Sequence, residues 1–343
     1  QTPTLAMLVE RAGQISNFQK EKYFNVELDC DGIPAVKPKI FDPDEAEQLR
    51  SRCHGNEAIV TSVKETEKKV KAPKLYDLTT LQREANRIYG MTAKQTLDTA
   101  QSLYEKKLIT YPRTDSQYLT EDMEQTARNV VRQIYEKYQL TGPFDQPEQP
   151  DVKKVMNNSK VTDHHAIIPT MELASSHLDE LKSWEEKILF LIAVHTVMAM
   201  SKDHIYQETE IEVECQGEIF KAKGRTVLQD GWKLFENCFK NKDRMAIVDP
   251  DQEMKERMPK VTQGQTFYAV AAEKTEHFTS PPKPYSEDTL LAAMETAGNK
   301  EFDEDTEKKG LGTPATRAGI IEKLIYSQYA TRKGKQILPT EDG

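Results

Sequence analysis

The sequence predicts an α+β fold built from several domains, on three observations. Strand-like alternation lies on both sides of a long middle block, in 24–63 and in 208–271. Residues of about 78–203 between them switch to helical periodicity, and helix-forming stretches return at both chain ends. The economical arrangement is one β domain with an α domain inserted into it.

The elements follow in order. Residues 1–16 are helical: Thr2 is a fitting N-cap, Pro3 suits the first helical position, and Leu5, Leu8, Val9 and Ala12 recur at helical spacing. Phe24, Val26, Leu28 and Cys30 alternate with polar residues as a strand that stops at Asp31-Gly32. Phe41-Asp42-Pro43-Asp44 starts a short helix, and Ala58 to Val63 is a strand. Lys64, Lys68, Lys69, Lys71 and Lys74 are interleaved with Glu65 and Glu67 and read as a solvated edge. Thr92 and Gln95 form a capping-box pattern ahead of Leu97, Ala100 and Tyr104. That helix ends near Lys106-Lys107, where cations suit the C-terminus. Thr120 opens another helix with Met123, Val130, Ile134 and Tyr138, and residues 141–151, with three prolines and a glycine, form a loop. Ser183 and Glu186 form a second capping box ahead of the most apolar helix, Ile188 to Met200. In the second strand group, Ile211, Val213 and Cys215 alternate with Glu208, Glu210, Glu212 and Glu214, and Phe220 to Val227 and Thr266 to Ala271 follow. Residues 279–285, with three prolines, form a linker to helices at 286–297 and 314–326; the five acids of 301–307 form a surface loop.

The totals narrow the class. A chain of 343 residues, 37% hydrophobic and 30% charged, is expected to fold as two or three globular domains. It carries no apolar run near the roughly 18–20 residues of a membrane span, and no signal-peptide pattern. It begins at Gln1 without an initiator methionine and reads as a piece of a longer protein. Cys30, Cys53, Cys215 and Cys238 form no C-x-x-C pair, so they are expected to be reduced thiols of a cytoplasmic protein. A net charge of −9 weighs against electrostatic coating of DNA, while leaving room for a local basic groove.

The chemistry concentrates in Leu108-Ile109-Thr110-Tyr111-Pro112-Arg113-Thr114-Asp115-Ser116. Pro112 disfavours a helical Tyr111. If the stretch is extended, Tyr111, Arg113 and Asp115 share one face. That face would offer a phenol able to act as a nucleophile once activated, and a guanidinium suited to clamp a phosphate with two hydrogen bonds. By spacing alone, a buried tyrosine beside a surface Arg–Asp pair is the favoured reading.

Two further segments stand with it: Asp163-His164-His165-Ala166-Ile167-Ile168-Pro169-Thr170, and Gly310-Leu311-Gly312-Thr313-Pro314-Ala315-Thr316-Arg317. Together and in this order they resemble the motifs of type IA DNA topoisomerases, especially bacterial topoisomerase III, and the resemblance covers essentially the whole chain. It implies a toroid-like core in which a β-rich arch (17–77 and 204–278) carries an inserted helical domain with the tyrosine (78–203). Helical DNA-gripping pieces (1–16 and 279–343) flank it. It implies Tyr111 as nucleophile toward single-stranded DNA, Arg113 on the scissile phosphate, and His164 as the active-site histidine, with Asp115 to orient it. The family's acidic domain, with a lysine and Mg2+-holding carboxylates, precedes the stretch resembling this N-terminus. Mg2+ is therefore expected in the full-length enzyme and none in this chain. A monomer, a helicase partner and no membrane complete the expectation.

Local reasoning adds an anion site. With Thr313 as N-cap and Pro314 first in the helix, free backbone N–H groups and the positive dipole end face a DNA phosphate beside Thr316. Thr2-Pro3-Thr4 repeats this chemistry. Two alternatives stay open: a single-stranded-DNA-binding core that does not cut by itself, and a relaxase-type tyrosine nuclease. His164-His165 lacks the metal-binding spacing of the latter.

Overall fold

The computed structural model describes residues 1–140, 150–236, 259–297 and 310–343. The chain begins with helix α1 (Thr2–Ser16), strands β1 (Lys22–Cys30) and β2 (Ile33–Ile40), helix α2 (Pro43–Cys53) and strand β3 (Ala58–Val70). Helices α3 (Leu78–Tyr89), α4 (Ala93–Glu105), α5 (Glu124–Tyr138) and α6 (Ser183–Ala199) follow. Strands β4 (His204–Cys215), β5 (Glu218–Gln229), β6 (Thr266–Phe267) and β7 (Ala271–Phe278) then precede α7 (Glu287–Thr296), α8 (Pro314–Tyr326) and the hairpin β8 (Ala330–Lys333) and β9 (Gln336–Pro339).

Seven strands form one antiparallel sheet in the order β6-β3-β4-β5-β2-β1-β7. Its wiring explains the insertion. β3 pairs with β4 from Ile59↔Glu214 to Val70↔His204. The chain thus leaves the sheet at Val70 and returns beside it at His204, so the whole helical excursion hangs from one pair of neighbouring strand ends. The acidic face read in β4 is neutralised locally: Lys221 reaches Glu212 at 2.9 Å, Lys223 pairs with Glu210, and Lys68 lies 3.8 Å from Glu208. These exposed pairs are each worth about 0–1 kcal/mol.

Three buried clusters hold the described chain. One fills the sheet and α2, with Val26, Leu28, Val60, Val213 and Phe220. The second lies among α3 to α6, where α6 is buried almost all round. The third joins α1 (Leu8) to α7 (Leu290, Met294), α8 (Ile321, Leu324) and the hairpin (Ile337), and takes in Ala93 of α4. Cys30, Cys53 and Cys215 are free and buried. Burial pushes the Cys30 and Cys215 thiols up to about 12. Cys238, the acidic 301–307 and most of 141–151 lie outside the described residues. Among the described residues no helix is long and apolar enough to cross a membrane.

Several local expectations change. β2 is a strand that contains Pro34 and Pro38, residues that disfavour one; it tolerates them because only Val36 pairs toward β5. β3 runs on through Val70, its lysines being part of the strand. The stretch Thr266 to Ala271 is broken between β6 and β7. Helix α1 starts one residue early, with Gln1 as N-cap, because the Leu5 N–H reaches the Gln1 carbonyl at 3.0 Å. Val9, read on its buried face, is 44% exposed, and Thr4 is buried instead. Thr120 caps a short 3-10 turn, Glu121–Met123, ahead of α5. The cap of α6 is one residue earlier than Ser183/Glu186: Lys182 is the N-cap and Glu185 Oε2 accepts its N–H at 2.9 Å.

Candidate active site

The capping box read at Thr92 and Gln95 is present, with Thr92 N–H on Gln95 Oε1 at 2.9 Å and Gln95 N–H on Thr92 Oγ1 at 3.1 Å. It opens α4, whose last turn delivers the chain to Tyr111. That turn is anchored on Glu185, whose carboxylate accepts the Ser102 hydroxyl and the Lys106 ammonium, each at 2.7 Å. These contacts outweigh burial and hold the Glu185 carboxyl down at about 2.

Beyond Lys107 the chain forms no helix before Glu121, and its burial alternates. Pro112, Thr114 and Ser116 are buried; Arg113 and Asp115 are exposed and Tyr111 half-exposed. Arg113 and Asp115, with Tyr111 in part, are thus the accessible members of the stretch. The buried hydroxyls are what hold it there. Thr110 N–H donates to the Ile168 carbonyl (2.9 Å), and Ala166 N–H donates to the Tyr118 carbonyl (2.9 Å). The chain between Thr110 and Tyr118 thus bows around His164. Thr114 Oγ1 donates to the His164 carbonyl (3.0 Å) and accepts the Ser116 N–H (3.1 Å). Ser116 Oγ donates to the Lys160 carbonyl (2.8 Å).

The exposed His164 ring lies against Tyr111, with centroids 4.2 Å apart and planes at 40°. His165 turns away, its Nδ1 2.8 Å from the Ala166 carbonyl. The two histidines therefore serve different surroundings. Tyr104, read as part of the apolar face of α4, is 40% exposed and packs edge-on against Tyr111 at 5.3 Å, while Leu103 takes the core position. Tyr111 thus has two ring neighbours, Tyr104 and His164. Among the described residues neither Arg113 nor Asp115 has a hydrogen bond or ion pair, so the guanidinium is free for a ligand and no bond links Asp115 to His164. Sequence reading missed Thr110, Thr114 and Tyr104 at this site. Two threonines beside a Tyr-Pro-Arg string were the only available signal, and which carbonyl each meets depends on a segment some 50 residues away.

The second group of expected residues stands elsewhere. Thr313 is the N-cap of α8, followed by Pro314. Its N–H donates to Thr316 Oγ1 (2.8 Å), and the two hydroxyls are 3.1 Å apart. Gly312 has φ +71°, a conformation that favours glycine. Gly310 packs where a Cβ would sit 2.3 Å from the Glu295 carbonyl oxygen, so only glycine fits. Thr313 and Thr316 are exposed, as is Thr2; Thr4 is 1% exposed and faces the core.

Among the described residues no group of three or more His, Cys, Asp or Glu side chains is placed to hold a metal ion.

A family model described as DNA topoisomerase matches residues 1–343. DNA topoisomerase 3 of Bacillus licheniformis is 37% identical over 368 residues, covering 100% of this chain and 48% of that protein. DNA topoisomerase 3 of Bacillus subtilis is 36% identical over 362 residues, covering 100% and 49%. The chain spans about half the length of the curated relatives it matches. Among solved structures, full-length topoisomerase I from Thermotoga maritima superposes with a TM-score of 0.72 at 25% identity, covering 98% of this chain and 52% of that one. With the full length matched, and with the tyrosine, arginine and histidine motifs in order on this fold, the chain belongs to the type IA DNA topoisomerase family.

Proposed function

We propose that the full-length protein changes DNA topology by cutting and rejoining one strand through Tyr111. The observation that carries this reading is the Tyr111 phenol, flanked by the His164 and Tyr104 rings, two residues before an exposed and unpaired Arg113. The Tyr111 oxygen attacks a phosphodiester of single-stranded DNA. A phosphotyrosine bond forms on the 5′-phosphate, the P–O3′ bond breaks, and the 3′-hydroxyl leaves with a proton. Rejoining reverses both bonds, so no nucleotide cofactor is consumed. A free phenol titrates near 10, so the attack needs its developing charge offset. Arg113 supplies two N–H donors toward the phosphate oxygens, and His164 supplies one from beside the ring. Asp115, exposed two residues beyond Arg113, is the candidate to orient His164 once DNA is bound.

The exposed N–H groups at the start of α8, with Thr313 and Thr316, and Thr2 at the start of α1 would grip backbone phosphates away from the cut. Buried Thr4 would act by packing rather than by contact. Among the described residues no cluster fits a metal ion; Mg2+ enters this reading only as a cofactor of the full-length enzyme. A toroid-like arrangement of the five stretches, a monomeric state and a helicase partner rest on the family resemblance, and cytoplasmic residence rests on the scattered thiols.

The test is a covalent trap. Full-length protein is mixed with labelled single-stranded oligonucleotide and denatured. An adduct joined to Tyr111 through the 5′-phosphate is expected, with none from Tyr111→Phe, which still binds the oligonucleotide. An adduct from Tyr111→Phe refutes the assignment. Binding without an adduct in the wild type would favour a DNA-binding core.

A further inference from the structure

Arg317 closes the Gly312 motif, yet it does not face solvent as a DNA-binding cation would. It is 5% exposed. Its Nε donates to the Leu311 carbonyl (3.1 Å), its Nη2 to the Gly312 carbonyl (3.2 Å), and its Nη1 to Thr79 Oγ1 (2.9 Å). Two donors therefore hold the loop before α8, and the third reaches α3, 238 residues away in the chain. The nearest carboxylate oxygen, on Glu295, stands 3.8 Å from Nη1, so the contact to Thr79 is not a by-product of an ion pair.

Thr79 is fully buried and is the second residue of α3. The first, Leu78, donates its N–H to the Thr114 carbonyl at 3.0 Å. Thr114 in turn holds the His164 carbonyl, and the His164 ring lies on Tyr111. A series of hydrogen bonds, ending in the His164–Tyr111 ring contact, thus runs from the loop that opens α8 toward the nucleophile. It crosses between two buried clusters, since α3 packs with the second and α8 with the third. Arg83 to Asp288 (2.8 Å) and Asp288 N–H to Asn86 Oδ1 (3.2 Å) also tie α3 to α7. The buried Arg317–Thr79 bond is the one adjoining the tyrosine segment.

We propose that Arg317 is a positioning residue that makes alignment of Tyr111 depend on the docking of α8 against α3. This rests on the strand-cleavage reading above. A guanidinium suits the task because its fixed fork serves two loop carbonyls and a distant hydroxyl at once; an ammonium at the same place cannot span all three. Removing the Thr79 acceptor leaves a buried donor unpaired and frees the first turn of α3 to shift relative to α8.

The test uses the full-length protein. Thr79→Val keeps shape and removes the acceptor; Thr79→Ser restores it; Arg317→Lys removes the fork. Affinity for a single-stranded oligonucleotide, adduct formation at saturating oligonucleotide, and the thermal midpoint are measured for each. Thr79→Val and Arg317→Lys are expected to slow adduct formation at saturation by roughly ten- to a hundredfold, the cost of a small misplacement of reacting groups. Affinity should stay within about twofold of wild type, because neither change removes a surface group that meets DNA. Thr79→Ser should recover most of the rate. Wild-type rates at saturation in both variants, or a defect that vanishes once the unfolded fraction is subtracted, would overturn the proposal. A wild-type protein that forms no adduct fails the strand-cleavage reading instead, so the two failures are distinguishable.

Discussion

Glu185→Gln tests how the approach to Tyr111 is anchored. Glu185 is 3% exposed, and its carboxylate receives the Lys106 ammonium and Ser102 hydroxyl of the last turn of α4, and the Lys182 N–H at the start of α6. Burial alone would raise its pKa; the three donors reverse this and hold it at about 2 instead of 4.5. A gap of that size corresponds to roughly 3 kcal/mol in favour of the folded state at neutral pH. Lys106 is 40% exposed and regains water when its partner goes, so the expected loss is nearer 2 kcal/mol. The sign follows from a depressed carboxyl: its stabilisation is complete above the unfolded value of 4.5 and disappears as pH falls through about 2. Urea unfolding of the chain and of Glu185→Gln, followed by far-UV circular dichroism at pH 7 and pH 3, measures it. The variant should be less stable by about 2 kcal/mol at pH 7, and the deficit should shrink by more than half at pH 3. A deficit below about 0.5 kcal/mol at pH 7, no more than a neutral surface change produces, or an equal deficit at both pH values, refutes the anchoring argument.

Asp77, the buried N-cap of α3, has the opposite sign: burial raises it from 3.8 to about 6, against the pull of the Thr80 donors. The folded state therefore holds its proton more tightly, and this contribution is lost as pH rises from about 4 through 6. Asp77→Asn, an equally good cap, should gain stability over wild type across that window by up to about 3 kcal/mol; parallel stability curves would contradict it. Thr316→Ala should destabilise the start of α8 by about 1 kcal/mol and weaken binding to unrelated oligonucleotides alike, because Thr316 Oγ1 holds the Thr313 N–H. Thr313→Ala, which removes the N-cap side chain, should also cost about 1 kcal/mol; an altered cleavage ladder for Thr316→Ala at unchanged affinity would replace the anion-site reading with base recognition. Arg113→Lys should slow adduct formation by about tenfold or more despite keeping its charge; a wild-type rate would show that a point charge suffices.

Sequence alone determined what depends on near neighbours. The capping box of Thr92 and Gln95, the continuous apolar run of α6 and the alternation in β4 are local patterns, and local hydrogen bonding and burial realised them. The absence of a helix at Tyr111-Pro112 and the accessibility of Arg113 and Asp115 belong with them. Tertiary structure decided what depends on partners distant in the chain. Tyr104 left the core face because Leu103 filled it and the Tyr111 ring offered an edge. β2 formed across two prolines because its neighbours ask little of their missing N–H groups. Thr114 became the support of His164, and Arg317 a buried link instead of a surface cation, because folding carried a carbonyl and a hydroxyl from remote segments to within 3.0 Å of their donors. Composition and periodicity encode which side chains bury; they do not encode which distant atom each buried donor will meet.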